Sequence, residues 1–448
     1  MGPFKAYDIR GVYGKDFDRG TVYAVGRHLP GLLEADRVLV GYDCRKSSPE
    51  IFEALTEGIL DAGADVEDMG PATTPMVYYV TATGNFPASV QITASHNPGE
   101  YNGMKISRKG ALPVGYDTGL RRLEEMVRKG TPSPAASRGK LRRLTGARED
   151  YLSFLAGFLG DLSPLRVAVD CSNGMASLLA ADLFGRNVTY IYDTMDGNFP
   201  NHDPNPLVEK NTADLKELVL KEGMDVGAIF DGDGDRVVFV DENGGFVRPD
   251  IMTAVLGESL LEKNGEWVLH DVRTSRGVIE RIRNLGGKPY MWKVGHSHAK
   301  MKMRELGAAY GGELAGHYYF RHFFNCDSGM LAAIHVLNIL AARAEAGRSF
   351  SELVEEIDVY SNSGEVNFIV SDKAAAMNAV VRHFSSREIP SNVYDFDGYR
   401  LEFREWWFSL RPSNTEPYLR LVAEASSPGL LEEKLREIRT ILDDFRED

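Results

Sequence analysis

Three times along the chain a short apolar run ends in an aspartate and gives way to small polar residues, then to helical spacing. The runs are Val38-Leu39-Val40-Gly41-Tyr42-Asp43, Val167-Ala168-Val169-Asp170 and Val268-Leu269-His270-Asp271, with helices expected to begin near Pro49, Gly174 and Ser275. An unbroken apolar run of this length suits a parallel strand buried on both faces. Its return at domain-length intervals predicts three related α/β domains, although unrelated α/β proteins share the pattern. A polar, basic stretch over 129–140, with Pro132 and Pro134, reads as the first connection, and Pro249 marks the second. From about Ser361 the order changes, with strands over 392–396 and 418–422. The last element has Ser427 as cap, Pro428 at the first helical position, and Leu431, Leu435, Ile438, Leu442 and Phe445 on one face. The expected fold class is α/β, with three related α/β domains at 1–142, 143–248 and 249–360 and a smaller α+β domain at 361–448.

A chain of 448 residues exceeds what one core supports and fits roughly three or four domains. With 43% hydrophobic and 26% charged residues it has the composition of a folded soluble protein. The net charge of −14 argues against nonspecific nucleic-acid binding, so an anionic ligand would need positive charge gathered locally in a cleft. Cys44, Cys171 and Cys326 are too few and too scattered for a disulfide framework or a cysteine zinc site, which fits a reducing cytoplasm. Residues 1–11 contain Lys5, Asp8 and Arg10 and no apolar stretch for a signal sequence. The most apolar stretch, 330–342, is too short to span a bilayer and contains His335 and Asn338. It reads as a buried helix, and no membrane partner is expected.

Four loops carry candidate chemistry. In Asp231-Gly232-Asp233-Gly234-Asp235-Arg236, between two apolar runs, alternate carboxylates can converge on one hard cation where glycines let the backbone bend. An EF-hand is a competitor because Glu242 falls at the twelfth position, but Arg236 stands where that loop wants glycine and strands flank the site. An aspartyl-phosphate nucleophile of the Asp-x-Asp type is another. Three adjacent carboxylates repel unless neutralised, and with only three protein oxygens on offer Mg²⁺ is favoured. A dinucleotide fingerprint fails locally, since Val237 stands at the third glycine.

Ser95, in Thr93-Ala94-Ser95-His96-Asn97-Pro98, sits in a turn at a strand end, where most serines merely cap or turn. Its company changes the reading: His96 adjoins it, Lys105 follows shortly, and a phosphoserine of about −1.5 to −2 charge would need the cation of the acidic loop. Near the end of the chain, Arg411-Pro412-Ser413-Asn414-Thr415-Glu416-Pro417 and Arg420 gather guanidinium, hydroxyl and amide donors suited to a phosphate dianion. Gly312-Glu313-Leu314-Ala315-Gly316-His317 offers a carboxylate and an imidazole to vicinal hydroxyls. Val294-Gly295-His296-Ser297-His298 belongs at another strand end.

In their order, these loops resemble the signatures of the α-D-phosphohexomutase family over nearly the whole chain. The resemblance implies four domains around a central cleft, the last TATA-binding-protein-like, each contributing a loop. It implies that Ser95 is the phosphorylated residue and, with Asp231, Asp233 and Asp235, holds one Mg²⁺. Glu313 and His317 would touch sugar hydroxyls, and Arg411, Ser413, Asn414, Thr415 and Arg420 the substrate phosphate. Tyr7, Arg10, His96, Lys105, Arg236 and His296 would line the catalytic cleft. The implied reaction interconverts a hexose 1-phosphate and 6-phosphate through phosphoserine and a hexose 1,6-bisphosphate, the latter serving as intermediate and activator.

Lys105, His296 and His317 are the candidate general bases. Within the family it resembles, Asn414, where glucosamine-preferring members usually carry glycine, and His317 imply mannose and glucose phosphates rather than glucosamine phosphate. Two substrate-site positions depart from the pattern: Ala315 stands where serine is usual, removing a hydrogen bond of about 0.5 to 1.5 kcal/mol, and Arg273 stands where lysine is common. A phosphoglucosamine mutase and a noncatalytic phosphosugar-binding paralogue are the alternatives. A monomer or homodimer is expected.

Overall fold

The computed structural model describes residues 2–413 and 418–446. Four sheets follow one another along the chain. In the first three, the aspartate-terminated strand lies between two parallel neighbours: Arg37–Tyr42 between Asp65–Pro71 and Ala88–Ile92, Val167–Asp170 between Thr189–Ile191 and Val226–Phe230, and Trp267–Asp271 between Lys288–Trp292 and Tyr310–Gly312. In each sheet one of those neighbours then turns into an antiparallel strand: Ala88–Ile92 into Tyr101–Arg108, Val226–Phe230 into Val237–Asp241, and Tyr310–Gly312 into Tyr318–Phe320. The serine, acidic and Glu313–His317 loops are therefore the same connection in three copies of one strand plan.

The first and third aspartate-ended strands feed the helices Ser48–Asp61 and Arg276–Asn284, starting where the sequence pattern places them. After Asp170 there is only a 3-10 turn, Met175–Leu178, and a five-residue helix, Ala180–Phe184. Ser172 and Asn173 take left-handed conformations there, and Met175 N–H donates to the carbonyl of Gly232, so this backbone is bound to the acidic loop instead of winding into a helix. The stretch 129–140 is no free connection. Arg27 reaches the carbonyls of Pro132 and Ser133, Gly139 N–H donates to Leu60, and Leu141–Arg143 adds an edge strand beside Asp65–Pro71. The chain thus leaves the first sheet only after Arg143.

Residues 330–342 lie within the helix Gly329–Glu345, capped by Ser328, and this helix is packed into the largest apolar cluster. No helix among the described residues is long and apolar enough to cross a membrane. The fourth sheet is antiparallel throughout, backed by Lys373–Ser385 and Pro428–Asp443. Ser427 caps the latter by accepting from Leu430 N–H, while Ile438 and Leu442 are buried and Leu431, Leu435 and Phe445 pack beside them.

Candidate active site

The acidic loop joins the hairpin Val226–Phe230 and Val237–Asp241. Gly234 is left-handed (φ 74°), and a Cβ on Gly232 would lie 2.5 Å from the carbonyl oxygen of Ser95, so glycine at these two positions lets the loop bend and press against the serine turn. The three carboxylates are fully buried, with one oxygen from each within 4.8 Å of the others. Ser95 Oγ donates to Asp231 Oδ2 at 2.8 Å and lies 3.4 Å from His96 Nδ1. Ser95 has no exposed surface, while Arg10, His96 and Arg236 are half-buried, so the hydroxyl lies beneath a rim of nitrogen-bearing side chains.

Charge in this cluster is unbalanced. Lys105 Nζ reaches Asp233 Oδ2 at 2.7 Å and also Asp235 Oδ2. Burial works against its ammonium, but the two carboxylates outweigh burial and raise its pKa. Burial likewise opposes ionisation of Asp233, and Lys105 reverses this and lowers its pKa. Asp231 is pushed well above the ordinary carboxylate range by burial and then by Asp233 and Asp235. Arg236 Nε stays 3.8 Å from Asp231 and 3.9 Å from Asp235, too far to complete neutralisation by hydrogen bonding. Asp233 Oδ1 and Asp235 Oδ1 are buried without a hydrogen-bond partner. Oxygen donors of this kind, carrying excess negative charge, fit a hard divalent cation. Glu242, the residue that an EF-hand would need, instead accepts from Ser351 N–H and Oγ.

The Glu313–His317 loop is attached to the acidic loop: Arg236 and His317 form an antiparallel bridge, and Val237 N–H donates to Gly316. His317 Nδ1 is 2.7 Å from Asp327 Oδ2, a buried carboxylate absent from the sequence reading. Burial opposes the charge on Asp327, but Lys300 at 2.6 Å and His317 hold its pKa well below normal. His296 opens the helix His296–Leu306, its ring 5.8 Å from that of His317 and 5.6 Å from Tyr7. Its pKa is pushed well down by burial, then by Lys300 and Lys105, and His96 is lowered in the same way by burial, Arg236 and Arg10. Tyr7 Oη donates to Val294 O, and Arg10 to Asn97 Oδ1 and Asp8.

Glu313 has both oxygens engaged by the protein, accepting from Gly295 N–H and Tyr319 Oη at 2.6 Å each. It braces the turn that presents His296. Ala315 is half-buried in the same loop.

The cations of the fourth sheet meet one from the third. Arg273 is buried, chelates Asp271 at 2.7 and 3.1 Å, and reaches Glu365 Oε2 at 3.1 Å, while Arg420 Nη1 is 2.8 Å from Glu365 Oε1. A lysine has one ammonium and cannot bridge two carboxylates in this planar manner, which accounts for arginine at position 273. The pKa of Glu365 is lowered because Arg273, Arg420 and Arg411 overcome its burial. Arg411 is buried at the end of Trp406–Pro412, and its pKa is lowered by burial and by Arg273. Ser413 follows, half-buried, with its N–H donated to Tyr418 O. Asn414 and Thr415 lie outside the described residues.

The sequence reading missed Asp327, Glu365, Thr74, whose Oγ1 donates to Asp233, and Arg45, which holds the serine loop. One signal was present: Asp43-Cys44-Arg45 and Asp271-Val272-Arg273 share a spacing at equivalent strand ends.

Comparison with known proteins covers almost the whole chain. Residues 1–133, 149–245 and 248–360 match the phosphoglucomutase/phosphomannomutase alpha/beta/alpha domains I, II and III, and residues 365–441 match the C-terminal domain of the same proteins. A phosphomannomutase of Escherichia coli K12 is 35% identical, over 98% of this chain and 99% of that protein. A protein of Xanthomonas campestris pv. campestris described as phosphohexose mutases is 36% identical, over 98% of each. A solved phosphoglucomutase/phosphomannomutase family protein from Burkholderia thailandensis superposes with a TM-score of 0.88 at 30% identity, covering 99% of this chain and 97% of that one.

Proposed function

The chain belongs to the α-D-phosphohexomutase family and is a phosphohexomutase, and on that premise we propose that Ser95 carries the phosphoryl group between the two ends of a mannose or glucose phosphate. The observation that supports this most directly is the 2.8 Å contact between Ser95 Oγ and Asp231 within the buried carboxylate trio. Asp231, Asp233 and Asp235 would hold one Mg²⁺, with Ser95 at its edge. Bound there, the ion would offset charge on the phosphoryl oxygens.

Starting from phospho-Ser95, a sugar hydroxyl oxygen forms the new P–O bond as the Oγ–P bond breaks, giving a hexose 1,6-bisphosphate. The hydroxyl proton passes to a base, and the departing Oγ takes up a proton, returning to the state in which it donates to Asp231. After the bisphosphate turns around, its other phosphoryl group returns to Ser95. Transfer of this kind is mostly positioning and charge stabilisation, to which half-buried Arg236 and Arg10 contribute on the open side. Arg273, Arg411 and Arg420 would grip the phosphate that is not being transferred, with Glu365 bridging the guanidinium groups of Arg273 and Arg420.

Of the three candidate bases, the geometry favours His317. Lys105 is committed to two carboxylates, and His317 has the Asp327 carboxylate 2.7 Å from its Nδ1, whereas His296 lies against the rings of Tyr7 and His317. Asp327, 2.7 Å away, would hold the proton of His317 on Nδ1 and leave Nε2 as the basic atom. His317→Gln is expected to lower kcat by about 10²- to 10⁴-fold with KM nearly unchanged, the range for a general acid–base group. Steady-state kinetics across pH check this, and a kcat within threefold of wild type would remove His317 from the role.

Mannose and glucose are favoured over glucosamine by His317 within the site and by the full-length similarity to proteins named phosphomannomutase. Turnover of mannose, glucose and glucosamine 1-phosphates, measured side by side with glucose 1,6-bisphosphate present, is expected to show the first two at least tenfold above the third. Equal or dominant glucosamine turnover overturns the preference.

A further inference from the structure

The strand-end aspartates of the three repeats share one device. Each accepts the N–H two residues on: Arg45 to Asp43 at 3.0 Å, Ser172 to Asp170 at 2.7 Å and Arg273 to Asp271 at 2.7 Å. In the first and third repeats that residue is an arginine whose side chain folds back onto the aspartate. In the second, Ser172 turns to the carbonyl of Phe230, and Asp170 pairs with His202 instead. Arg273 faces the cationic cluster described above. Arg45 faces the serine loop.

Arg45 is buried and uses all five of its N–H donors. Nε donates to Asp43 Oδ2 at 3.0 Å, Nη1 to the carbonyls of Pro98 and Tyr101, and Nη2 to those of Ser95 at 2.8 Å and Asn97 at 2.7 Å. The ring of Phe199, from the second repeat, lies 5.0 Å from its guanidinium carbon. Ser95 itself is left-handed, with φ 51°. That conformation costs a residue with a side chain about 1 to 3 kcal/mol unless its surroundings hold it. Its N–H is held by Thr93 Oγ1 at 2.8 Å and its carbonyl by Arg45. The two contacts fix the peptide planes on either side of Cα and so set the direction of Oγ toward Asp231.

We infer that Arg45 is a positioning residue for phosphoryl transfer: acting through the backbone carbonyls of Ser95, Asn97, Pro98 and Tyr101, it locks Ser95 in the left-handed conformation that aims Oγ at the acidic loop. This rests on the reading of Ser95 as the phosphoryl carrier. A lysine brings three donors to five acceptors and cannot reproduce the planar fork.

The test uses the full chain carrying Arg45→Lys, Arg45→Ala or Asp43→Asn. Three quantities are measured: kcat and KM for mannose 1-phosphate, the rate at which glucose 1,6-bisphosphate phosphorylates the protein by intact mass, and the melting temperature. Arg45→Lys is expected to lose about a hundredfold in kcat and in phosphorylation rate, the scale of an ångström-sized misplacement, with KM within about twofold. Asp43→Asn should lose less. Millimolar guanidinium should restore part of the Arg45→Ala rate and leave wild type unchanged.

Wild-type kcat in Arg45→Lys, a loss confined to KM, or activity that returns fully on cooling would overturn the inference. Should Arg45→Ala fail to fold, Arg45→Lys and Asp43→Asn still decide it. A wild-type protein that takes no phosphoryl group onto Ser95 refutes the carrier reading itself. A wild-type protein and variants phosphorylated at equal rates refute only the role of Arg45.

Discussion

Ser95→Ala is expected to reduce turnover by roughly a factor of a hundred or more, even with hexose 1,6-bisphosphate supplied, because loss of a covalent nucleophile leaves only binding and charge stabilisation. The folded state should tolerate the change. Alanine keeps the Cβ, so the left-handed backbone bears no new strain, and its N–H and carbonyl contacts to Thr93 and Arg45 do not involve the hydroxyl. The hydrogen bond from Oγ to Asp231, worth about 1 kcal/mol, is lost together with the longer 3.4 Å contact to His96 Nδ1. A large kinetic loss with a small shift in melting temperature is therefore the signature of a carrier. Intact mass should show a phosphorylated fraction in wild type that falls when sugar monophosphate is added, and none in the variant. An unaltered turnover rate in Ser95→Ala would remove the serine from the mechanism.

Chelation of divalent ions is expected to abolish activity, and returning Mg²⁺ to restore it. The reason lies in the charge inventory: three buried carboxylates face one lysine, with Arg236 held nearly 4 Å away and two carboxylate oxygens left without hydrogen-bond partners. A cation that binds only the folded protein raises its stability, by about 2.7 kcal/mol at a hundredfold excess over Kd. The melting temperature should accordingly rise with Mg²⁺ in wild type and little in Asp231→Asn.

The pH dependence has a definite sign. The pKa of Asp231 is raised well above the ordinary carboxylate range by burial and by its two acidic neighbours, so without the cation this group retains a proton to higher pH than a free carboxyl does. Binding must expel that proton, so apparent affinity should weaken as pH falls through the raised pKa and strengthen above it. Melting curves at several pH values with Mg²⁺ titrated in measure this. A melting temperature insensitive to the ion at every pH would show that the trio is neutralised by Lys105 and Arg236 alone.

Much of the site is legible in the linear chain because its loops are built from local chemistry. Asp231, Asp233 and Asp235 advertise a cation by their alternation, and the glycines between them announce the bend that brings their oxygens together. The closing helix is equally local, its cap, proline and apolar stripe lying within one stretch of sequence. The same reasoning gives too long a helix after Asp170 and too free a stretch at 129–140. In both places the backbone takes its hydrogen bonds from distant segments, Met175 from Gly232 and Gly139 from Leu60.

The partners of the site residues were not legible for the same reason. Arg45 lies 50 residues from Ser95, Ser95 136 residues from Asp231, and Arg273 92 residues from Glu365. Nothing in the sequence around Glu313 indicates that Gly295 N–H and Tyr319 Oη take up its two oxygens.

The sequence by itself determined the repeated strand plan, the four loops and their chemical character, since periodicity, turn residues and clustered charge act over a few residues. Tertiary structure alone decided that Ser95 is buried against Asp231, that His317 leans on Asp327, and that Arg45 grips four carbonyls of the serine loop. Each of those contacts joins groups far apart in the chain. A buried polar atom takes whichever partner the packing of the sheets brings within hydrogen-bonding reach.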